Sequence, residues 1–182
     1  MAIAVLGWGS LVWDPRMLDI EPDWYADGPL LPIEFARVSR GDRLTLVIVE
    51  NAPLQPTLWS MSRKLSLEEA RGDLMAREGA TSSKAIGSWP QVGAVDLRSK
   101  VVCDAIERWA IGKRLAGAVW TALGPKAPDS SHRRATDDEL VGYLRTLKQA
   151  GRSAEAQRYI ELAPPQIQTP LRARIRAELG WG

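Results

Sequence analysis

Histidine, cysteine and phenylalanine each occur once in this chain of 182 residues, and each scarcity removes some chemistry. A single cysteine excludes an intramolecular disulfide and a cysteine-based zinc site. With one histidine, a Ser-His-Asp triad or a cysteine–histidine pair has to use His132. That residue sits in the polar stretch Ser130-Ser131-His132-Arg133-Arg134. Cys103 falls on the apolar face of a predicted helix, where a free cysteine acts as a small core residue. No P-loop is present, and Gly7-Trp8-Gly9-Ser10-Leu11 does not complete a dinucleotide-binding fingerprint. No two acids share a spacing distinctive of metal catalysis, and paired carboxylates leave that chemistry open. No apolar run approaches the roughly 20 residues a membrane helix needs. The start Met-Ala-Ile-Ala-Val-Leu lacks the basic region of a signal peptide, and the expectation is a cytoplasmic protein with no membrane partner. The 24 basic and 22 acidic residues are spread along the chain, which does not suggest a nucleic-acid surface.

What is present is an ordinary globular balance, 45% hydrophobic and 25% charged, in a length that suits one domain with a sizeable core. Tryptophan is abundant, with 8 residues. Its ring favours burial while its N–H needs an acceptor, so several of these indoles are candidates for a semi-polar cavity.

The chain opens on Ile3-Ala4-Val5-Leu6-Gly7-Trp8-Gly9-Ser10-Leu11-Val12-Trp13-Asp14-Pro15. The apolar run predicts a buried first strand that breaks into two glycines around one aromatic. Gly7 and Gly9 permit unusual backbone and close approach of a ligand. The N–H groups of such a turn can also form a nest for an anion or oxyanion. A plain turn between two strands is the alternative.

Further along, residues 33–39 and 44–50 predict a hairpin about Arg40-Gly41-Asp42-Arg43. The two prolines in 51–56 mark a loop, and 57–62 another strand. Ser66-Leu67-Glu68-Glu69 is a capping box opening a helix that should stop at Gly79. Glu78 therefore lies at the negative end of a helix dipole. There, placement and any burial raise a carboxyl's proton affinity and make it a candidate proton shuttle. A solvated Glu78 paired with Arg77 is the alternative. Residues 81–91 read as a loop or lid, 92–97 as a strand, and Ser99 as the cap of a helix with Val101, Val102, Ala105, Ile106 and Trp109 on its apolar face. Residues 115–123 are a buried strand and 124–132 a linker. Thr136-Asp137-Asp138-Glu139 is a second capping box, followed by a predicted helical region to the end. Arg172, Arg174 and Arg176 read as a solvated face of the last helix.

The opening stretch resembles the N-terminal signature of the gamma-glutamylcyclotransferase-like family, especially its ChaC branch. Ala36-Arg37-Val38-Ser39-Arg40 is similar to that branch's second strand, and Leu74-Met75-Ala76-Arg77-Glu78-Gly79 to the helix end presenting the family's glutamate. The likeness covers roughly the first 80 residues. Trp8 stands where the family usually carries Tyr, and the Tyr that often follows the Arg-Glu-Gly step is absent. The resemblance implies an α+β fold: a small mixed β-barrel with flanking helices and a helical C-terminal third. Residues 1–182 would form one domain, with a strand-rich body over 1–124 and a helical extension over 133–182 packed on it. It implies cyclisation of a small-molecule gamma-glutamyl amine or peptide to 5-oxoproline, with Glu78 as general acid and base. Gly7, Trp8, Gly9, Ser10 and Leu11 would bind the substrate, without metal or cofactor. A non-catalytic protein that keeps the fold and binds another ligand is the competing expectation.

Overall fold

The computed structural model describes residues 2–91 and 100–182. It is an α+β protein whose chain divides into two compact units, one of Met1–Leu31 with Pro56–Leu123 and the other of Pro32–Gln55 with Gly124–Gly182.

In the first unit, strand β1 (Ile3–Gly7) is buried along its whole length, as expected of a continuous apolar run with neighbours on both sides. It pairs antiparallel with β5 (Leu58–Met61) and parallel with β7 (Gly117–Thr121). Strand β6 (Ile86–Trp89) lies antiparallel on the far side of β7, giving the order β5-β1-β7-β6. Among the described residues this sheet is open.

Helix α1 (Leu67–Glu78) covers the sheet and buries Ala70 and Leu74. They join Ile3, Val5, Leu11, Leu18, Ile20, Ile86 and Val119 in one core, with Trp24, Leu67 and Met75 packed against it. The helix starts as its sequence dictates. Ser66 accepts from the Glu69 N–H at 3.2 Å, and the Glu69 carboxylate accepts from the Ser66 N–H at 2.9 Å. It stops at Gly79, whose φ of 60° is left-handed backbone that glycine adopts without a Cβ penalty. Helix α2 (Lys100–Gly112) buries Val102, Ile106 and Ala110. Val101, expected on that face, is exposed.

One expectation changes here. Residues 86–89, read as part of a loop or lid, form β6. Ile-Gly-Ser-Trp has little intrinsic strand signal, and its pairing with β7 supplies what propensity does not. The predicted strand 92–97 and the Ser99 cap lie outside the described residues.

In the second unit, β2 (Leu30–Val38) and β3 (Leu44–Ile48) form the expected hairpin, joined by a 3-10 turn at Arg40–Asp42. The segment read as a loop on account of its prolines contributes β4 (Leu54–Pro56), in the order β3-β2-β4. An edge strand tolerates proline because one side of its backbone needs no partner. Three helices complete the unit: α3 (Asp137–Gln149), α4 (Ala154–Leu162) and α5 (Pro170–Leu179). The Thr136–Glu139 capping box forms as expected, and Thr169 caps α5 with Pro170 in its first turn. Helix α4 packs on β3, and Phe35 of β2 meets Tyr159 of α4 edge-on at 6.4 Å. The hairpin strands thus group with the helical end of the chain rather than with the other strands, a grouping different from the 1–124 and 133–182 boundaries read in the sequence.

Arg172 corrects the reading of a solvated arginine face on α5. It is 3% exposed. Its guanidinium donates to the carbonyls of Ile160, Ala163, Pro164 and Ile167 at 3.2, 2.9, 2.9 and 2.8 Å. These include carbonyls at the end of α4, which have no partner within their own helix.

Candidate functional site

The site grows from the end of β1, in the first unit. A Cβ on Gly7 would lie 2.6 Å from the Trp24 ring. An indole packed against the backbone thus gives a steric requirement for glycine there. Neither Gly7 nor Gly9 has left-handed backbone, so the expected conformational reason for two glycines does not hold. After Gly9 the chain closes on itself: the Val12 N–H donates to Gly9 O at 3.0 Å and the Asp14 N–H to Ser10 O at 2.8 Å. The N–H groups of Gly9, Ser10 and Leu11 make no hydrogen bond among the described residues. Trp8 and Leu11 are both 5% exposed, and Leu11 belongs to the core. Their side chains serve packing, whereas Ser10 is half-buried.

Arg77 and Glu78, the last two residues of α1, stand at this turn. The Arg77 side chain is 4% exposed and that of Glu78 16%. Arg77 Nη1 donates to Glu78 Oε1 at 2.7 Å. Arg77 Nη2 donates to Asp14 O at 2.5 Å and to Ser10 Oγ at 3.4 Å. From β7, Thr121 Oγ1 donates to the same Glu78 Oε1 at 3.3 Å. One carboxylate oxygen is therefore held by two donors. The other, Oε2, makes no hydrogen bond among the described residues. The guanidinium supplies a countercharge at the end of the helix, where the dipole alone would oppose an anion.

The structure thus brings the Glu78 carboxylate, the Ser10 hydroxyl and the Asp14 carbonyl to one guanidinium. It also realises the alternative expectation, an ion pair between Glu78 and Arg77. Thr121 was invisible in the sequence, because only the parallel β1–β7 pairing carries it to this end of the sheet. Arg77 had one signal, its place beside Glu78, but nothing local tells that its other nitrogen reaches the turn.

His132 is exposed in its loop. Cys103 is half-buried on α2, where burial pushes its thiol above the usual value. Among the described residues no group of three or more His, Cys, Asp and Glu is placed to hold a metal, and no helix is long and apolar enough to cross a membrane.

Tryptophans gather elsewhere in this unit. Trp59 and Trp109 meet edge-on at 5.5 Å, and Tyr25 lies 4.8 Å from Trp59. Trp59 Nε1 donates to the Asp27 carboxylate and Trp109 Nε1 to its main-chain carbonyl, both at 2.8 Å. The bonds from Lys113 and Trp59 hold the Asp27 carboxyl below the usual carboxylate range. Here the indole N–H groups find their acceptor in one aspartate.

No family model, no curated protein and no solved structure matches the chain.

Proposed function

We propose that the protein is a gamma-glutamyl cyclotransferase-like enzyme, cytoplasmic and independent of metal or cofactor, that converts a gamma-glutamyl amine or peptide to 5-oxoproline. The observation that carries the reading is the divided state of the Glu78 carboxylate: Oε1 fixed by Arg77 and Thr121, Oε2 without a partner among the described residues. In this reaction the α-amine of the gamma-glutamyl group attacks its own side-chain carbonyl. A carbon–nitrogen bond closes the five-membered ring, and the bond to the departing amine breaks. The attacking nitrogen gives up two protons, one before attack and one after it, and the departing amine takes up both to leave as an ammonium; Glu78 Oε2 takes each in turn and delivers it. The N–H groups of Gly9, Ser10 and Leu11 offer donors for the substrate carboxylate or for the developing oxyanion. Holding a flexible chain folded for cyclisation is itself a large part of the task. The barrel of this family belongs to the same proposal.

A second reading is favoured by one observation, the ion pair of Glu78 with a buried arginine. In it the turn and its guanidinium bind a small molecule and Glu78 moves no proton. Purified protein incubated with a panel of gamma-glutamyl amines and dipeptides separates the two. Release of 5-oxoproline by the native protein and its loss in Glu78→Gln support the enzyme. Equal ligand binding by both proteins with no product supports the binder.

A further inference from the structure

The Arg77 guanidinium is almost completely buried, yet it spends its donors in two directions. Nη1 goes to Glu78 on its own helix, and Nη2 goes to Ser10 and Asp14, more than sixty positions earlier in the chain. Nε is buried with no acceptor. The same is true of Arg172 Nε, so what sets Arg77 apart is the two directions of its fork. The planar fork is what allows one cation to grip a carboxylate on one side and a carbonyl on the other.

We infer that Arg77 is a positioning residue for this site: a single guanidinium fixes the Glu78 carboxylate and the Gly9-Ser10-Leu11 turn relative to each other, so that the charge on Glu78 sets the placement of the turn's N–H groups. The inference deepens the cyclotransferase reading and rests on it for the role of the positioned groups. With Glu78 ionised, Nη1 is held at 2.7 Å. When Glu78 takes the substrate's proton, that attraction weakens. The guanidinium is then freer to lean on Ser10 and Asp14 at the moment when oxyanion charge develops by the turn. Of the elements packed on α1, β1, β6 and β7 present no ionisable side chain, and β7 offers the neutral Thr121. Among the described residues, the charged groups linked to Glu78 by the contacts of this cluster are Arg77 and, at the turn, Asp14 with its exposed partner Arg16.

The test follows the amide resonances of Ser10 and Leu11 and the side-chain carboxyl carbon of Glu78 by NMR as pH is varied. In the native protein the two amides should shift in step with Glu78. In Glu78→Gln that step should vanish, which separates it from titration of Asp14. In Arg77→Met, Glu78 should still titrate while the amides no longer follow. Amides that follow pH equally in Glu78→Gln, or do not move in the native protein, overturn the inference even if Arg77→Met fails to fold. Kinetics give a second readout. Arg77→Lys, which keeps the charge but not the fork, should lower kcat about 10²-fold with little change in KM, the order expected for a misplaced catalytic group. An unchanged kcat contradicts the positioning role. If the native protein releases no 5-oxoproline while the amides still follow Glu78 through Arg77, the cyclotransferase reading falls and the positioning of Glu78 and the turn by Arg77 stands.

Discussion

Replacing Arg172 by Met keeps the length of the side chain and removes every donor. Four carbonyls, of Ile160, Ala163, Pro164 and Ile167, then lose the guanidinium in a buried setting, and of these Pro164 keeps the Ile167 N–H at 3.0 Å. A hydrogen bond to a charged group is worth about 1.5–3 kcal/mol. The four are not additive, because they share one cation whose own desolvation is recovered when it is removed. A buried acceptor left without a donor costs about 1–3 kcal/mol, and the net destabilisation expected here is about 3–5 kcal/mol. In a protein of this size each kcal/mol moves Tm by about 2–4 °C, which gives a fall of roughly 6–20 °C. Urea unfolding followed by circular dichroism suits the measurement, since α3, α4 and α5 all lie in the unit that Arg172 ties together. Arg172→Lys should recover part of the loss: an ammonium carries three donors but cannot spread them over four carbonyls. A change below about 0.5 kcal/mol in Arg172→Met, typical of a surface substitution, would refute the reasoning and return Arg172 to the solvated face read from the sequence.

Two further perturbations have definite outcomes. Gly7→Ala places a methyl against the Trp24 ring and should cost about 1–3 kcal/mol by overpacking. Trp24→Leu in the same chain should relieve that cost, which a double-mutant cycle in urea measures. Glu34, 2% exposed, accepts from the N–H groups of Phe35 and Leu171, and burial pushes its carboxyl above the ordinary glutamate value. Because the folded state then holds the proton more tightly than the unfolded one, this group's contribution to stability is complete below the ordinary value. It is lost as pH rises towards the raised value. Urea midpoints taken from pH 4 to pH 8 should lose that declining component in Glu34→Gln. An identical pH dependence in the two proteins contradicts the assignment.

The parts of the fold that were legible in the sequence are those whose cause is local. Two capping boxes, a glycine at the end of α1 and the apolar run of β1 each state their own geometry, and all four stand where they were read. What stayed hidden depends on partners distant in the chain. Residues 86–89 become a strand because β7 is there to pair with. Leu54–Pro56 becomes one because an edge position spares its prolines. An exposed arginine and a buried one look alike in sequence: Arg172 and Arg174 sit two residues apart on α5, and only the carbonyls at the end of α4 distinguish them. The candidate site divides in the same way. The turn and Glu78 were visible as separate motifs, whereas their connection through Arg77 and the support from Thr121 exist only once the sheet has formed. The contact of Gly7 with the Trp24 ring likewise had no local signal.

The most direct measurement on the central claim is 5-oxoproline formed by the purified protein from gamma-glutamyl amines and dipeptides, beside Glu78→Gln under the same conditions. The native protein should release 5-oxoproline together with the free amine. Glu78→Gln, which keeps the shape but cannot carry the proton, should lose about 10²–10⁴-fold of that rate. Product formation that survives intact in Glu78→Gln, or its absence from the native protein across the whole panel, would contradict the account.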